Sequence, residues 1–383
     1  MKVAGIFAGI GGLELGLGRS GHHASLLCEI DSGAQAVLRA RFPGVELARD
    51  VCRLRDLPAE VELVCGGFPC QDLSQAGRTA GLAGEQSSLI GEVFRLLERR
   101  PVPWVVLENV PFMLQLNKGG AMAAVVKRLG ELRYRWAYRV VNTMAFGLPQ
   151  RRERVYIVAS RDRDPGEVLF ADQAEPELPT TKIGEIAHGF YWTEGIRGLG
   201  WAPDAIPTLK NGSTIGIPSP PAILMPNGSI VKPDIRDAER IQGFEEDWTS
   251  PAEEVVRASR RWSLVGNAVS VPVADWIGRR LASPGAWDRA LARPLEGGGW
   301  PRAAASTRDG IVAVNVSSFP VAVERPHLAE FLRHPGALLS LRATAGFFGR
   351  TKVAKLRFPE GFLSAVENHL LRMSGDYGAE AAE

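Results

Sequence analysis

A chain of 383 residues, 45% apolar and 23% charged, has the composition of an ordinary globular protein and length for two domains, or for one large α/β domain with an appendage. No apolar run is long enough to cross a membrane and no signal-peptide pattern opens the chain, so the expectation is a cytoplasmic protein with no membrane partner. The net charge of +2 means that any nucleic-acid surface must be local, and four cysteines (Cys28, Cys52, Cys65, Cys70) without a CxxC pair or a histidine at zinc-ligand spacing point to a reduced protein with no structural metal.

Residues 3–7 form a β-rich run, followed by Ala8-Gly9-Ile10-Gly11-Gly12 and helix-like spacing at Leu13, Leu15 and Leu17. Strand, glycine turn and helix open a nucleotide-binding βαβ unit, although many α/β proteins need such a turn for geometry alone. A second strand ends in Cys28-Glu29-Ile30-Asp31. An acidic side chain there can accept hydrogen bonds from both ribose hydroxyls, and Asp31 equally fits the N-cap of a helix over residues 33–41. Asp50 follows a short run at residues 45–47 and could accept from an adenine amino group.

The apolar run at residues 61–64 leads into Gly66-Gly67-Phe68-Pro69-Cys70-Gln71-Asp72-Leu73-Ser74. The glycine pair allows a tight exit from a strand, and Pro69 fixes its own φ while restricting Phe68. A stiff loop of this kind presents Cys70 in one orientation, as an attacking nucleophile requires; taken alone, an inert buried cysteine fits as well. Residues 75–88, rich in Gly, Ser and Ala, read as a loop, either a lid or an idle surface, ahead of a helix over residues 89–99. A β-rich run at residues 102–107 then delivers Glu108-Asn109-Val110-Pro111 to the carboxyl edge of a sheet, where α/β proteins keep their sites. Local capping or pairing is the other use of Glu108.

A helix over residues 120–132 and a strand over residues 136–141 follow. In Gln150-Arg151-Arg152-Glu153-Arg154, alternation puts Gln150, Arg152 and Arg154 on one face, where two guanidinium groups can grip a phosphate and a base carbonyl. A solvated charge run looks the same. From Ser160 the strand–helix alternation stops, and residues 161–206 combine prolines, an acidic surplus and the aromatics Phe190, Tyr191, Trp192 and Trp201. Residues 207–214 are turn-rich and less acidic. Residues 331–372 carry Arg333, Arg342, Arg350, Lys352, Lys355, Arg357 and Arg372 against only Glu360 and Glu367, which suits either a soluble face or DNA contacts.

These segments resemble, in order, the motifs of the DNA cytosine-5 methyltransferases. Phe7, Gly9 and Gly11 stand in the first motif, Glu29 and Ile30 in the second and Asp50 in the third. The Pro69-Cys70-Gln71 loop, Glu108-Asn109-Val110 and Gln150-x-Arg152-x-Arg154 follow. Arg240 lies in a supporting helix over residues 236–244, and Val265-Gly266-Asn267-Ala268-Val269 opens the closing helix. The resemblance covers residues 1–160 and about 207–280. It implies an α/β S-adenosylmethionine-dependent methyltransferase of Rossmann-like type, a mixed sheet with helices on both faces, plus a small target-recognition region and a C-terminal extension. Its expected division is residues 1–160 and 236–283 for the catalytic domain, 161–235 for recognition, and 284–383 for an extension that is a candidate for DNA contacts.

The same resemblance implies Cys70, Glu108, Arg152 and Arg154 as catalytic residues. It assigns Phe7, Gly9, Gly11, Glu29, Ile30, Asp50, Pro69, Asn267 and Val269 to the cofactor, and Gln71, Ser74, Gln150, Arg152 and Arg240 to DNA. S-adenosylmethionine would be consumed and S-adenosylhomocysteine released, on double-stranded DNA, by a monomer acting beside a cognate restriction endonuclease. No metal is expected. Ile30 departs from the aromatic common at its position. Three rivals share much of this pattern: a tRNA cytosine-5 methyltransferase, a catalytically idle DNA-binding relative, and an enzyme attaching another group from a modified cofactor. No cysteine follows Cys70, which counts against the first, and Cys70, Glu108 and both arginines are present, which counts against the second.

Overall fold

The computed structural model describes residues 1–69, 89–176, 180–212 and 220–375, and the chain falls into two compact units. The first comprises Met1–Phe146, Glu153–Pro176 and Ala268–Ala322. It is built on β1 (Lys2–Ile6), α1 (Gly12–Arg19), β2 (His23–Cys28), α2 (Ser32–Arg41), β3 (Glu46–Ala48), β4 (Val61–Gly67), α3 (Leu89–Arg99), β5 (Trp104–Asn109), α4 (Gly120–Glu131) and β6 (Arg135–Asn142). After β7 (Gln150–Arg151), which belongs to the second unit, come β8 (Glu153–Ser160) and α5 (Gly166–Leu169).

Strands β3, β2, β1, β4 and β5 are parallel neighbours in that order, and β8 is inserted antiparallel between β5 and β6. Successive strand residues point to opposite faces, and both faces are buried. Ala4, Ile6, Val64, Val105 and Leu107 join a core with Val93, Phe94 and Leu97 of α3 and Val125 and Leu129 of α4. Val3, Leu63, Cys65 and Val106 face the other way, onto Leu13 and Leu17 of α1 and Val168 and Leu169 of α5. Helices therefore cover both sides, and the carboxyl ends of five parallel strands share one edge.

Late in the chain, α8 (Val271–Ala282) returns to the same unit and crosses α1. The crossing needs Gly16, where a Cβ would overlap Ala274 and lie 2.5 Å from the Val271 carbonyl. Ser20 donates to the Asp275 carbonyl at 2.8 Å and His22 Nε2 to that of Gly278 at 2.9 Å, which fixes the register of the pair. Beyond it, β14 (Ala292–Pro294), β15 (Ala303–Thr307) and β16 (Gly310–Val314) lengthen the sheet to ten strands, with β15 antiparallel to β6. Ala303-Ala304-Ala305 is helix-forming by propensity, but pairing with Ala137, Tyr138 and Arg139 overrides it. Arg139 is fully buried and donates to the carbonyls of Leu169, Asp172 and Ser317, pinning this C-terminal stretch.

The second unit comprises Gly147–Arg152, Glu177–Asn267 and Val323–Glu383. Its five-stranded antiparallel sheet runs β10 (Trp201–Pro203), β9 (His188–Phe190), β12 (Ala222–Leu224), β13 (Ile230–Lys232) and β17 (Ala337–Leu338). β11 (Ile206–Pro207) pairs with β7 in a separate ladder. The helices are α6 (Ile235–Ile241), α7 (Arg260–Asn267), α9 (Leu328–Phe331), α10 (Leu341–Thr351) and α11 (Phe362–Ser374). Phe347 of α10 and Phe362 and Val366 of α11 pack on Phe190, Ala222, Leu224 and Ile230 of the sheet.

The C-terminal segment is thus built into this unit rather than appended to it. Asp204 accepts from Leu328 N at 2.8 Å and pairs with Arg325, and Asp237 accepts from the amides of Arg333 and His334 at 3.0 Å. His369 takes the Ile230 amide on Nδ1 and donates from Nε2 to the Leu339 carbonyl. Residues 284–383, expected as one extension, are divided: the part before Val323 lengthens the large sheet and the rest completes the small one.

Candidate active site

The site is assembled at the carboxyl edge of the parallel strands. After β1 the chain turns through three left-handed residues, Phe7 (φ 58°), Gly9 (φ 55°) and Gly11 (φ 84°), before α1 begins. A phenylalanine is strained there, and such strain persists where surrounding structure over-determines it, commonly at ligand sites. The Glu29 carboxylate, just past β2, accepts from Gly9 N at 2.7 Å on one oxygen and from Asp31 N at 2.8 Å on the other. Burial raises the Glu29 pKa, and these two amides partly offset the rise. Each oxygen keeps a lone pair for a further donor.

Asp31 caps α2 through Ala34 N at 3.0 Å, the use that its position also allowed. Ile30 beside it is 76% exposed, an apolar side chain left open to solvent. Asp50, after β3, accepts from Cys52 N at 2.9 Å and lies 3.7 Å from Arg53. A Cβ on Gly9 would meet no atom within 4 Å. Open space at a left-handed turn, a carboxylate with spare acceptor capacity and an exposed apolar side chain fit a nucleoside ligand bearing vicinal hydroxyls.

The second half of the site is Glu108, the penultimate residue of β5. Its carboxylate pairs with Arg154 of β8 at 3.0 Å, with the two side chains only 10% and 13% exposed. Gly67 stands opposite Glu108 in the β4–β5 register, and a Cβ there would lie 2.9 Å from Glu108 Oε2, so only glycine leaves the carboxylate its place. Asn109 Nδ2 donates to the Phe68 carbonyl at 2.9 Å and ties the segment leading to exposed Pro69 onto β5. Val269, expected near the cofactor, is buried in the face that carries α1, with Cγ2 4.0 Å from the Gly67 Cβ position. Cys70, Gln71 and Ser74 lie outside the described residues.

Three of the expected residues have partners within the second unit. Gln150 is fully buried in the second unit, where its Oε1 accepts from Leu209 N at 2.9 Å and its Nε2 donates to Gln242 Oε1 at 3.2 Å. Arg152, 1% exposed, donates to the carbonyls of Leu209 at 2.9 Å and Gly266 at 3.3 Å. Arg240 is engaged by Asp237 at 2.7 Å and the Phe331 carbonyl at 2.7 Å, and its guanidinium lies over the Phe331 ring. These contacts brace the second unit. β7 is only two residues long and the chain passes between units after Arg152, so Gln150 and Arg152 find partners in the second unit and Arg154 finds Glu108 in the first. Asn267 ends α7 exposed. Gly266 before it is required because a Cβ would strike the backbone of Lys210.

One residue gave no signal in the sequence. Glu14, in the first turn of α1, is 3% exposed and packs over Gly5 of β1, with the Cys65 thiol donating to its Oε1 at 3.6 Å. Burial pushes its pKa up to about 7, with repulsion from Glu29 a smaller contribution. A helix N-terminus favours an anion, but desolvation outweighs it here. An acidic letter in an amphipathic helix reads as solvent-facing, and only the small Gly5 beneath it hints otherwise.

Comparison with known proteins places this architecture. The profile of the C-5 cytosine-specific DNA methylases matches residues 1–188. The Type II methyltransferase M2.BsuMI of Bacillus subtilis (strain 168) is 46% identical over 381 residues, covering 96% of this chain and 97% of that protein. M.DsaV of Dactylococcopsis salina, also a Type II methyltransferase, is 26% identical, covering 74% and 86%. Among solved structures, the Entamoeba histolytica methyltransferase EhMeth has the same fold, with a TM-score of 0.52 at 15% identity over 72% of this chain and 96% of that one. The chain belongs to the DNA cytosine-5 methyltransferase family. It is an enzyme that methylates carbon 5 of cytosine in DNA.

Proposed function

We propose that the enzyme takes its methyl group from S-adenosylmethionine, bound at the Phe7–Gly11 turn against Glu29, Ile30 and Asp50, and acts on a cytosine flipped out of double-stranded DNA through a covalent Cys70 adduct. The observation that carries the reading is the Glu108–Arg154 pair at the carboxyl edge, register-paired with Gly67 three residues before Cys70. S-adenosylmethionine, when bound, supplies an electrophilic methyl group.

Cytosine carbon 5 is a weak nucleophile. Addition of the Cys70 thiolate at carbon 6 moves the ring electrons to carbon 5, which can then accept the methyl group. Glu108 holds ring nitrogen 3 and the exocyclic amine as that adduct forms. Arg154 keeps the Glu108 carboxylate in place and offers donors to the base carbonyl. Loss of the carbon 5 proton to a base and expulsion of the thiolate then give 5-methylcytosine. A stacked duplex cannot admit this chemistry, so the base must leave the stack.

The enzyme would work as a cytoplasmic monomer that marks DNA against a cognate restriction endonuclease. Among the described residues no helix is long and apolar enough to cross a membrane. The test uses DNA carrying 5-fluorocytosine at target positions. Fluorine cannot leave as a proton does, so the wild-type adduct should persist through denaturing electrophoresis. Cys70→Ser should form no adduct and turn over no cytosine while still binding DNA and S-adenosylmethionine. Full turnover by Cys70→Ser would remove the covalent mechanism, and transfer to tRNA but not to DNA would move the substrate.

A further inference from the structure

The second unit carries a set of cations that its own ion pairs do not use. Arg236, Arg240, Arg261, Arg325 and Lys210 each pair with a carboxylate of the unit. Residues 337–359 hold five cations and no acidic residue. Arg350 is turned inward and donates to the Trp192 carbonyl. The other four, Arg342, Lys352, Lys355 and Arg357, are exposed, and none pairs with a carboxylate among the described residues.

These four are held on a rigid support. Phe347 fixes α10 in the core over β9 and β12, and Trp201 Nε1 donates to the Arg357 carbonyl at 2.9 Å. The neighbouring aromatics continue the connection. Trp192 Nε1 donates to the Pro220 carbonyl at 2.9 Å, and the Tyr191 hydroxyl donates to that of Thr208 at 2.6 Å. The cationic segment is therefore anchored through β9 and β10 to the turn-rich stretch that begins at Pro207. Arg342 and Lys352 stand ten positions apart on α10 and just past it, about 15 Å along the axis, or roughly four base-pair steps of a duplex strand.

We propose that Arg342, Lys352, Lys355 and Arg357 form a phosphate-gripping surface through which the second unit holds the DNA backbone, making residues 337–359 part of the DNA-binding apparatus. The proposal rests on the DNA-methylating activity. Phosphate contacts position a protein on the duplex but carry no sequence information, so this surface serves grip and register, and the choice of site falls to other residues.

The test is DNA affinity as a function of salt, on a duplex containing the methylated sequence and on a random duplex, for the full-length protein. In the quadruple variant Arg342→Gln, Lys352→Gln, Lys355→Gln, Arg357→Gln, the slope of log K against log salt should flatten by about 3 to 4, since each lost phosphate contact removes roughly 0.9. Affinity near 0.1 M salt should fall on the order of 10²-fold or more, equally for both duplexes, with S-adenosylmethionine binding unchanged. If the quadruple variant is poorly folded, Lys352→Gln with Lys355→Gln alone should flatten the slope by about 2, while Arg308→Gln in the β15–β16 turn should leave it as it was. An unchanged slope in a folded variant, or a loss confined to the target duplex, overturns the proposal. A wild-type protein that binds no duplex DNA overturns the activity it rests on.

Discussion

Replacing Glu14 by glutamine should make the protein more stable, and only above a certain pH. The carboxyl is carried from an ordinary value of 4.5 up to about 7 by burial between α1 and the Gly5–Cys65 pair of β1 and β4. Below pH 4.5 it is protonated in the folded and unfolded chain alike. Between 4.5 and 7 the unfolded chain gives up its proton while the folded chain keeps it, so stability falls as pH rises, and above 7 the loss is complete. A displacement of that size costs about 3 kcal/mol. Glutamine keeps the shape and cannot ionise. Urea denaturation at pH 5, 6, 7 and 8 should show the variant ahead by only about 1 kcal/mol at pH 5 and by about 3 kcal/mol at pH 8.

Other groups contribute to the absolute profile. Glu29, also raised, acts in the same direction as Glu14, and His22 and His188, both lowered by burial, act in the opposite one. The difference between the two proteins isolates Glu14. An equal difference at pH 5 and pH 8 would refute the reasoning, because it would mean that the carboxyl does not titrate between them.

Further outcomes follow from the geometry. Arg154→Met leaves the Glu108 carboxylate buried without its partner, and should lower the methylation rate about 10²-fold or more while costing on the order of 3 kcal/mol in denaturant stability. Gly67→Ala places a methyl 2.9 Å from Glu108 Oε2, so kcat should drop about tenfold with little change in melting temperature, since only a side-chain tip has to move. Gly16→Ala forces α1 and α8 apart and should cost about 1–3 kcal/mol by thermal or chemical denaturation, with the DNA affinity of the folded protein preserved. Asn109→Ala removes the tie to the Phe68 carbonyl and should depress kcat more than it depresses S-adenosylmethionine affinity, read from single-turnover rates and binding titration.

Most of the first unit could be read in advance because each strand of the parallel set is a short apolar run closed by a glycine or an acid, and each intervening helix has its own periodicity. Glu29 and Glu108 were legible for the same reason: a carboxylate at the carboxyl end of a buried strand must emerge at the sheet edge. Other features depend on contacts remote in sequence. Ala303-Ala304-Ala305 is a strand only because β6 offers it an open edge, and Ala337-Leu338 only because β13 does. The burial of Gln150, Arg152 and Arg240 comes from contacts with Leu209, Gln242, Gly266 and Phe331, which lie between 57 and 114 positions away. No local pattern in the sequence reveals partners so distant. The division of residues 284–383 between units was hidden too, because its signals are single residues: Arg139, Asp204 and Asp237 hold it from elsewhere in the chain.

The central claim is methyl transfer to carbon 5 of cytosine in DNA. Its most direct test is incubation of the purified protein with S-adenosylmethionine and unmethylated genomic DNA, followed by bisulfite sequencing. Protection of cytosines within one short recurring sequence is the predicted result, and it would reveal the target site as well. Folded protein that binds both ligands yet protects no cytosine would contradict the account.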